Sequence, residues 1–144
     1  MCGVAAKSGE NNSGPVHQVD SFFLGRPAVR LIFDALSQIV LRNFPEVIIK
    51  VQKSQISFCG PRPFCWAWLP IRDGIKGRPE LYLVVSFGLD HEIIHPRLVD
   101  TSQPYPGRWT HHTIISHIEE IDAELINWIS QAYQWKNADR DLLK

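Results

Sequence analysis

The chain is short of several things that would fix its chemistry at once. It has three cysteines in 144 residues, Cys2, Cys59 and Cys65. An odd number without ligand spacing supports neither a disulfide framework nor a zinc site, so reduced thiols are expected. There is no net charge, Lys+Arg and Asp+Glu standing at 15 each, which argues against a generic polyanion binder. No apolar run approaches the roughly 20 residues that span a bilayer. Residues 7–13 are polar where a signal peptide would be apolar. A cytoplasmic location without a membrane partner is therefore the expectation. Gly74 and Gly77 are too sparse for a phosphate-cradling loop. No elbow motif surrounds Cys59 or Cys65, and Ser54 and Ser57 lack a triad signature. Nothing here assigns a catalytic residue, a metal or a cofactor.

What the chain does have is enough apolar mass for one ordinary core, at 44% hydrophobic residues. Residues 1–20, rich in Gly, Ser and Asn, read as a mobile leader, residues 21–136 as a single domain, and residues 137–144 as a charged tail. Pro27 suits the first turn of a helix, and Ala28, Leu31, Ile32, Ala35, Leu36 and Ile39 follow at helical spacing until Phe44-Pro45. Residues 47–88 then alternate. Val47, Ile49 and Val51, then Ile56 and Phe58, then Leu81, Leu83, Val85 and Phe87 fall on one face of successive strands. Turn signals stand at residues 60–63 and 72–74. Residues 90–107 contain Pro96, Pro104 and Pro106 and read as a long irregular connection. Residues 108–114 form a fifth strand. Ser116-His117-Ile118-Glu119 resembles a capping box opening a closing helix striped by Ile118, Ile121, Leu125, Trp128, Ile129 and Ala132. The fold class is α+β: a two-layer sandwich, helix–five antiparallel strands–helix, with both helices on one sheet face.

Two helices leave the second sheet face open. That face would show Lys50, Gln52, Gln55, Ser57, Tyr82 and Ser86. In the third strand Phe64, Trp66 and Trp68 share one face, and small Cys65 and Ala67 share the other. If the small residues meet the helices, three rings stand on the open face beside cations, a surface that can stack planar ligands. The alternative is that the indoles belong to the core. Lys53-Ser54-Gln55, at the first hairpin turn, could hold an anion, or be a solvated turn. Residues 47–79 carry Lys50, Lys53, Arg62, Arg72, Lys76 and Arg78 against Asp73 alone, whereas Glu119, Glu120, Asp122 and Glu124 gather near the last helix. His111 and His112 are adjacent, so on a strand they point to opposite faces and cannot chelate one ion together. A zinc or iron site from His91, His95 and one of that pair has no spacing rule behind it.

Four segments carry a family resemblance: Phe22-Phe23-Leu24-Gly25-Arg26-Pro27, Lys53-Ser54-Gln55-Ile56-Ser57-Phe58, Arg62-Pro63-Phe64-Cys65-Trp66-Ala67-Trp68-Leu69-Pro70 and Gly107-Arg108-Trp109-Thr110-His111-His112. Over about residues 21–134 the chain resembles the bacterial family described as domain of unknown function 5655. The resemblance implies a small cytoplasmic α+β domain without an assigned activity, some of whose relatives are attached to larger proteins, a few of them linked to nucleic-acid processing. It marks Lys53, Ser54, Gln55, Arg62, Trp66, Trp68, Arg108, His111 and His112 as ligand-binding candidates. The element order also resembles frataxin-like and YdhG-like domains, some of which bind iron through an acidic ridge. Asp34 and Glu46 are the only acids from residue 27 to residue 51, which argues against carrying iron over.

The resulting expectation is a non-enzymatic module binding a small planar or anionic ligand, nucleotide and nucleic acid included. A homodimer or partner interface burying the same face is the alternative. A metal- or histidine-assisted hydrolase around His111, His112 and His95 is the second.

Overall fold

The structure, a computed structural model, describes residues 14–70, 76 and 78–142, with side chains between residues 18 and 137. The turn expected at residues 72–74 lies outside the described residues. The elements are α1 (Gly14–Phe22), α2 (Pro27–Asn43), β1 (Ile48–Val51), β2 (Ile56–Cys59), β3 (Pro63–Trp68), β4 (Leu83–Leu89), β5 (Leu98–Tyr105), β6 (Arg108–Ile115) and α3 (Ala123–Leu142). A 3-10 turn stands at Ile118–Glu120. All six strands join one antiparallel sheet in the order β1-β2-β3-β4-β6-β5. The protein is α+β.

Helix α2 forms where the periodicity placed it. Val29, Ile32, Phe33, Leu36 and Val40 make its buried stripe, and Phe44 closes it by donating its N–H to the Val40 carbonyl at 2.8 Å. Ring contacts orient the helices on the sheet. Phe33 of α2 stacks on Phe58 of β2 at 6.0 Å, and Trp128 of α3 on Phe87 of β4 at 5.8 Å. Phe58, Cys65, Phe87 and His111 are successive register partners across β2, β3, β4 and β6. They therefore share one face, and the apolar members of that row belong to the main core with Ile56, Ala67, Leu83 and Val85. By the pleat, the intervening residues point the opposite way.

Several elements depart from the sequence reading, each for a local reason. Residues 90–107 contain a sixth strand, β5, at the sheet edge. Pro104 hid it, but an edge strand tolerates a missing donor, and Pro104 falls inside the register shift between Ser102 and Tyr105. Of the expected leader, residues 1–13 lie outside the described residues, and α1 begins at Gly14, with Val19 and Phe23 buried in the core. The expected tail is largely α3, which continues to Leu142. Its Asn137 is buried, donating to the Tyr133 carbonyl at 2.9 Å and accepting the Arg62 N–H at 2.8 Å.

The start of the closing helix is also later than expected. Glu120, not Glu119, reaches back to the Ser116 and His117 N–H groups, at 2.7 and 3.1 Å, and the box caps only the 3-10 turn. Asp122 then accepts the Leu125 N–H at 3.1 Å to open α3. The acids beside it are engaged: Arg97 bridges Asp122 and Glu124, and His95 pairs with Glu124 at 3.0 Å. Cys59 is disulfide-bonded, against the expectation of reduced thiols, so among the described cysteines Cys65 alone is free.

The most consequential departure is a bulge in β3. Phe58 is opposite Cys65, yet Cys59 is opposite Pro63, which leaves Phe64 as the extra residue. Phe64 is fully buried, edge-on to Tyr133 at 5.0 Å and to Phe44 at 5.9 Å. The expectation that Phe64, Trp66 and Trp68 share a face is thus corrected. The bulge sends Phe64 into the core and leaves two indoles, not three rings, on the other side.

Candidate functional site

Across the face opposite the core, the register lines up Lys50, Ser57, Trp66, Ser86, His112 and Asp100, one from each strand. Trp68 stands two residues beyond Trp66, and both indoles are half-buried. Three groups in this patch form a relay. Trp68 Nε1–H donates to Ser86 Oγ at 2.8 Å, and Ser86 Oγ lies 2.7 Å from His112 Nδ1. An indole nitrogen can only donate, so Ser86 is its acceptor. The buried serine proton then has His112 Nδ1 as its acceptor among the described residues. All three groups are satisfied only when neutral His112 carries its proton on Nε2. Burial pushes the His112 pKa down, opposed by the Asp100 carboxylate and reinforced by Arg78, which favours this neutral form. His112 also meets the Trp68 ring edge-on at 5.7 Å.

A cavity of about 280 Å³ opens over this relay, walled by Trp66, Trp68, Ser86 and His112 and rimmed by Gln55, Arg108 and Thr110. The Arg108 guanidinium stands over Trp66 at 5.9 Å and over Tyr105 at 5.7 Å, and donates to Tyr105 Oη at 3.1 Å. A second cavity, about 530 Å³, is lined by Lys53, Ser54, Gln55, Trp68 and Leu69 with Ser21 and Phe22. Gln55 and Trp68 belong to both, so the two hollows meet at one ring.

Of the nine residues singled out in the sequence, Gln55, Trp66, Trp68, Arg108 and His112 converge on the smaller cavity. Lys53 and Ser54 line the adjoining one. Arg62 lies at the α3 end of the sheet, its backbone held by Asn137. His111 is not with them. It is fully buried on the core face, parallel to Phe87 at 5.1 Å, and its Nε2 accepts the Ile93 N–H at 2.9 Å. Burial pushes its pKa down as well. Tyr82, expected on the open face, is buried with its hydroxyl unpartnered among the described residues.

Ser86, Thr110 and Asp100 were missed as site residues: strand pairing places Ser86 and Asp100 beside His112, and Thr110 shares its face two residues back along β6. Among the described residues no group of three His, Cys, Asp or Glu side chains is placed to hold a metal ion. His91 and His95 are taken by Asp90 and Glu124. Nor is any described helix long and apolar enough to cross a membrane.

A family model, Domain of unknown function (DUF5655), matches residues 19–136. The chain belongs to that family. The DUF5655 match spans every strand of the sheet and both cavities. No curated protein and no solved structure matches the chain.

Proposed function

We propose that this DUF5655 chain is a non-enzymatic binding module that seats a planar ring against Trp66 and Trp68. The observation that carries the reading is the 280 Å³ cavity, in which two half-buried indoles meet outward-facing polar groups. The Trp68 ring is held in place through its N–H on Ser86, so a ligand would meet a preformed wall and order little on binding. Gln55, Thr110 and the Nε2–H of His112 supply edge contacts. The size, just under the roughly 300–1,000 Å³ of drug-sized sites, suits one ring system rather than an extended molecule.

Tryptophan-fluorescence titration with adenosine and uridine tests this. Stacking on an aromatic side chain is worth about 1–3 kcal/mol per base, so Trp66→Ala should weaken binding roughly 5- to 150-fold. No quenching by either nucleoside would defeat the reading. A stable dimer by light scattering, with both indoles shielded, would instead favour the interface role. The Ser86–His112 contact is the one observation that favours a histidine-assisted hydrolase. Against it, Ser86 is buried and its oxygen already accepts the Trp68 N–H, which lowers its nucleophilicity.

A further inference from the structure

Beyond the indoles, the α3 end of the sheet gathers three cations. Arg108 sits between the Trp66 and Tyr105 rings. Lys136, half-buried, stands 5.4 Å from the Trp135 ring centre. Arg62 is fastened to the residue after Lys136 through its N–H on Asn137. These elements close in around Gly88, where a side chain would stand within 3.9 Å of Trp135, Arg108 Nε and the Trp109 carbonyl. The three cations feel one another. Burial first, then the Arg108 charge and also Arg62, lower the Lys136 pKa, and Tyr105 is drawn down chiefly by its hydrogen bond to Arg108, with Lys136 and Arg62 adding to it. Among the described residues none of the three joins an ion pair, whereas Arg30 and Arg97 elsewhere each hold two carboxylates.

An independent observation points the same way. Arg108 Nε is enclosed and has no acceptor among the described residues. A buried charged donor without an acceptor is costly and uncommon in folded proteins. Stacking explains why an arginine lies on Trp66, but not why a second and third cation converge beside it. A compact anion with several oxygens would relieve the mutual repulsion and offer acceptors to all three.

We infer that Arg108, Arg62 and Lys136 form an oxyanion seat of the phosphate class, so that the ring held by Trp66 and Trp68 carries a phosphate. This rests on the ring-binding reading above and narrows it to a nucleotide unit, free or within a single strand. Arg108 serves both parts, its guanidinium lying on Trp66 while facing the cluster.

Calorimetric titrations with adenosine, adenosine monophosphate, an eight-residue oligothymidylate and inorganic pyrophosphate test it on the full chain. The monophosphate should bind at least about tenfold more tightly than adenosine. That advantage should shrink as salt rises and vanish in Arg62→Gln/Lys136→Gln, which spares the packed Arg108. Equal affinity for adenosine and its monophosphate overturns the seat and leaves the ring platform standing. Pyrophosphate binding that the double variant abolishes, with no nucleoside binding, keeps the seat and defeats the platform. No binding of any probe overturns both. The tighter of monophosphate and oligothymidylate identifies the source of the phosphate.

Discussion

Removing one oxygen should loosen the whole wall of the ring site. Ser86→Ala deletes the acceptor of the Trp68 N–H and the donor to His112 Nδ1, contacts of 2.8 and 2.7 Å. Each such bond is worth about 1 kcal/mol net, and an enclosed polar group left alone costs about 1–3 kcal/mol. Two features soften the loss. His112 can move its proton from Nε2 to Nδ1, and the half-buried Trp68 N–H can reach water. The expected destabilisation is about 1–2 kcal/mol, read in urea as a midpoint lowered by about 0.5–1 M with unchanged slope. Nitrogen chemical shifts of His112 supply the second readout: Nδ1 unprotonated in the parent, a tautomer mixture in the variant. A Ser86→Ala, His112→Ala cycle should show a coupling of about 0.5 kcal/mol or more. A midpoint unmoved by Ser86→Ala, or a parent His112 protonated on Nδ1 when neutral, would refute the relay and with it the preformed wall.

Four further outcomes follow from the same geometry. Phe64→Ala should cost about 3–5 kcal/mol as a core cavity and Trp66→Ala clearly less; equal losses in chemical denaturation would mean that the bulge does not separate their faces. Asn137→Ala removes the hydrogen bond joining α3 to the β2–β3 loop and a second one within α3, so about 1–3 kcal/mol should go, with faster hydrogen exchange at the Arg62 amide. His111 and His112 have pKa values held below the ordinary 6.5, chiefly by burial. The unfolded chain therefore binds more protons there, so stability is full above about pH 6.5 and declines as acid approaches the folded values; thermal melts showing no such decline would contradict their burial. Burial also drives the Cys65 thiol well above its usual range, so iodoacetamide at neutral pH should spare it until the protein unfolds, as peptide mass mapping would show.

Much of the fold was legible because its signals are local. Helix α2 and strands β1 to β4 and β6 carry their period in their own residues. β5 was not legible, since an edge strand needs few apolar residues and tolerates Pro104; only pairing with β6 makes Leu98–Tyr105 a strand. Helix α1 escaped for a similar reason, lacking periodicity while anchoring Val19 and Phe23 in the core. The bulge at Phe64 could not be read either. Strict alternation groups it with Trp66 and Trp68, and the extra residue shows only when β2 is laid against β3.

Alternation along the chain was sufficient to separate His111 from His112 and to put Trp66 and Trp68 on one face, because the pleat allows successive residues no other choice. It could not say which face receives the helices, or what stands beside what. Strand register, a property of pairs, set Ser86 between an indole and an imidazole. The return of α3 past the sheet end brought Lys136 toward Arg62 and Arg108 across long sequence separations. Charges so far apart in the chain can be counted from its letters, but they act as one group only when packing has fixed the distances between them.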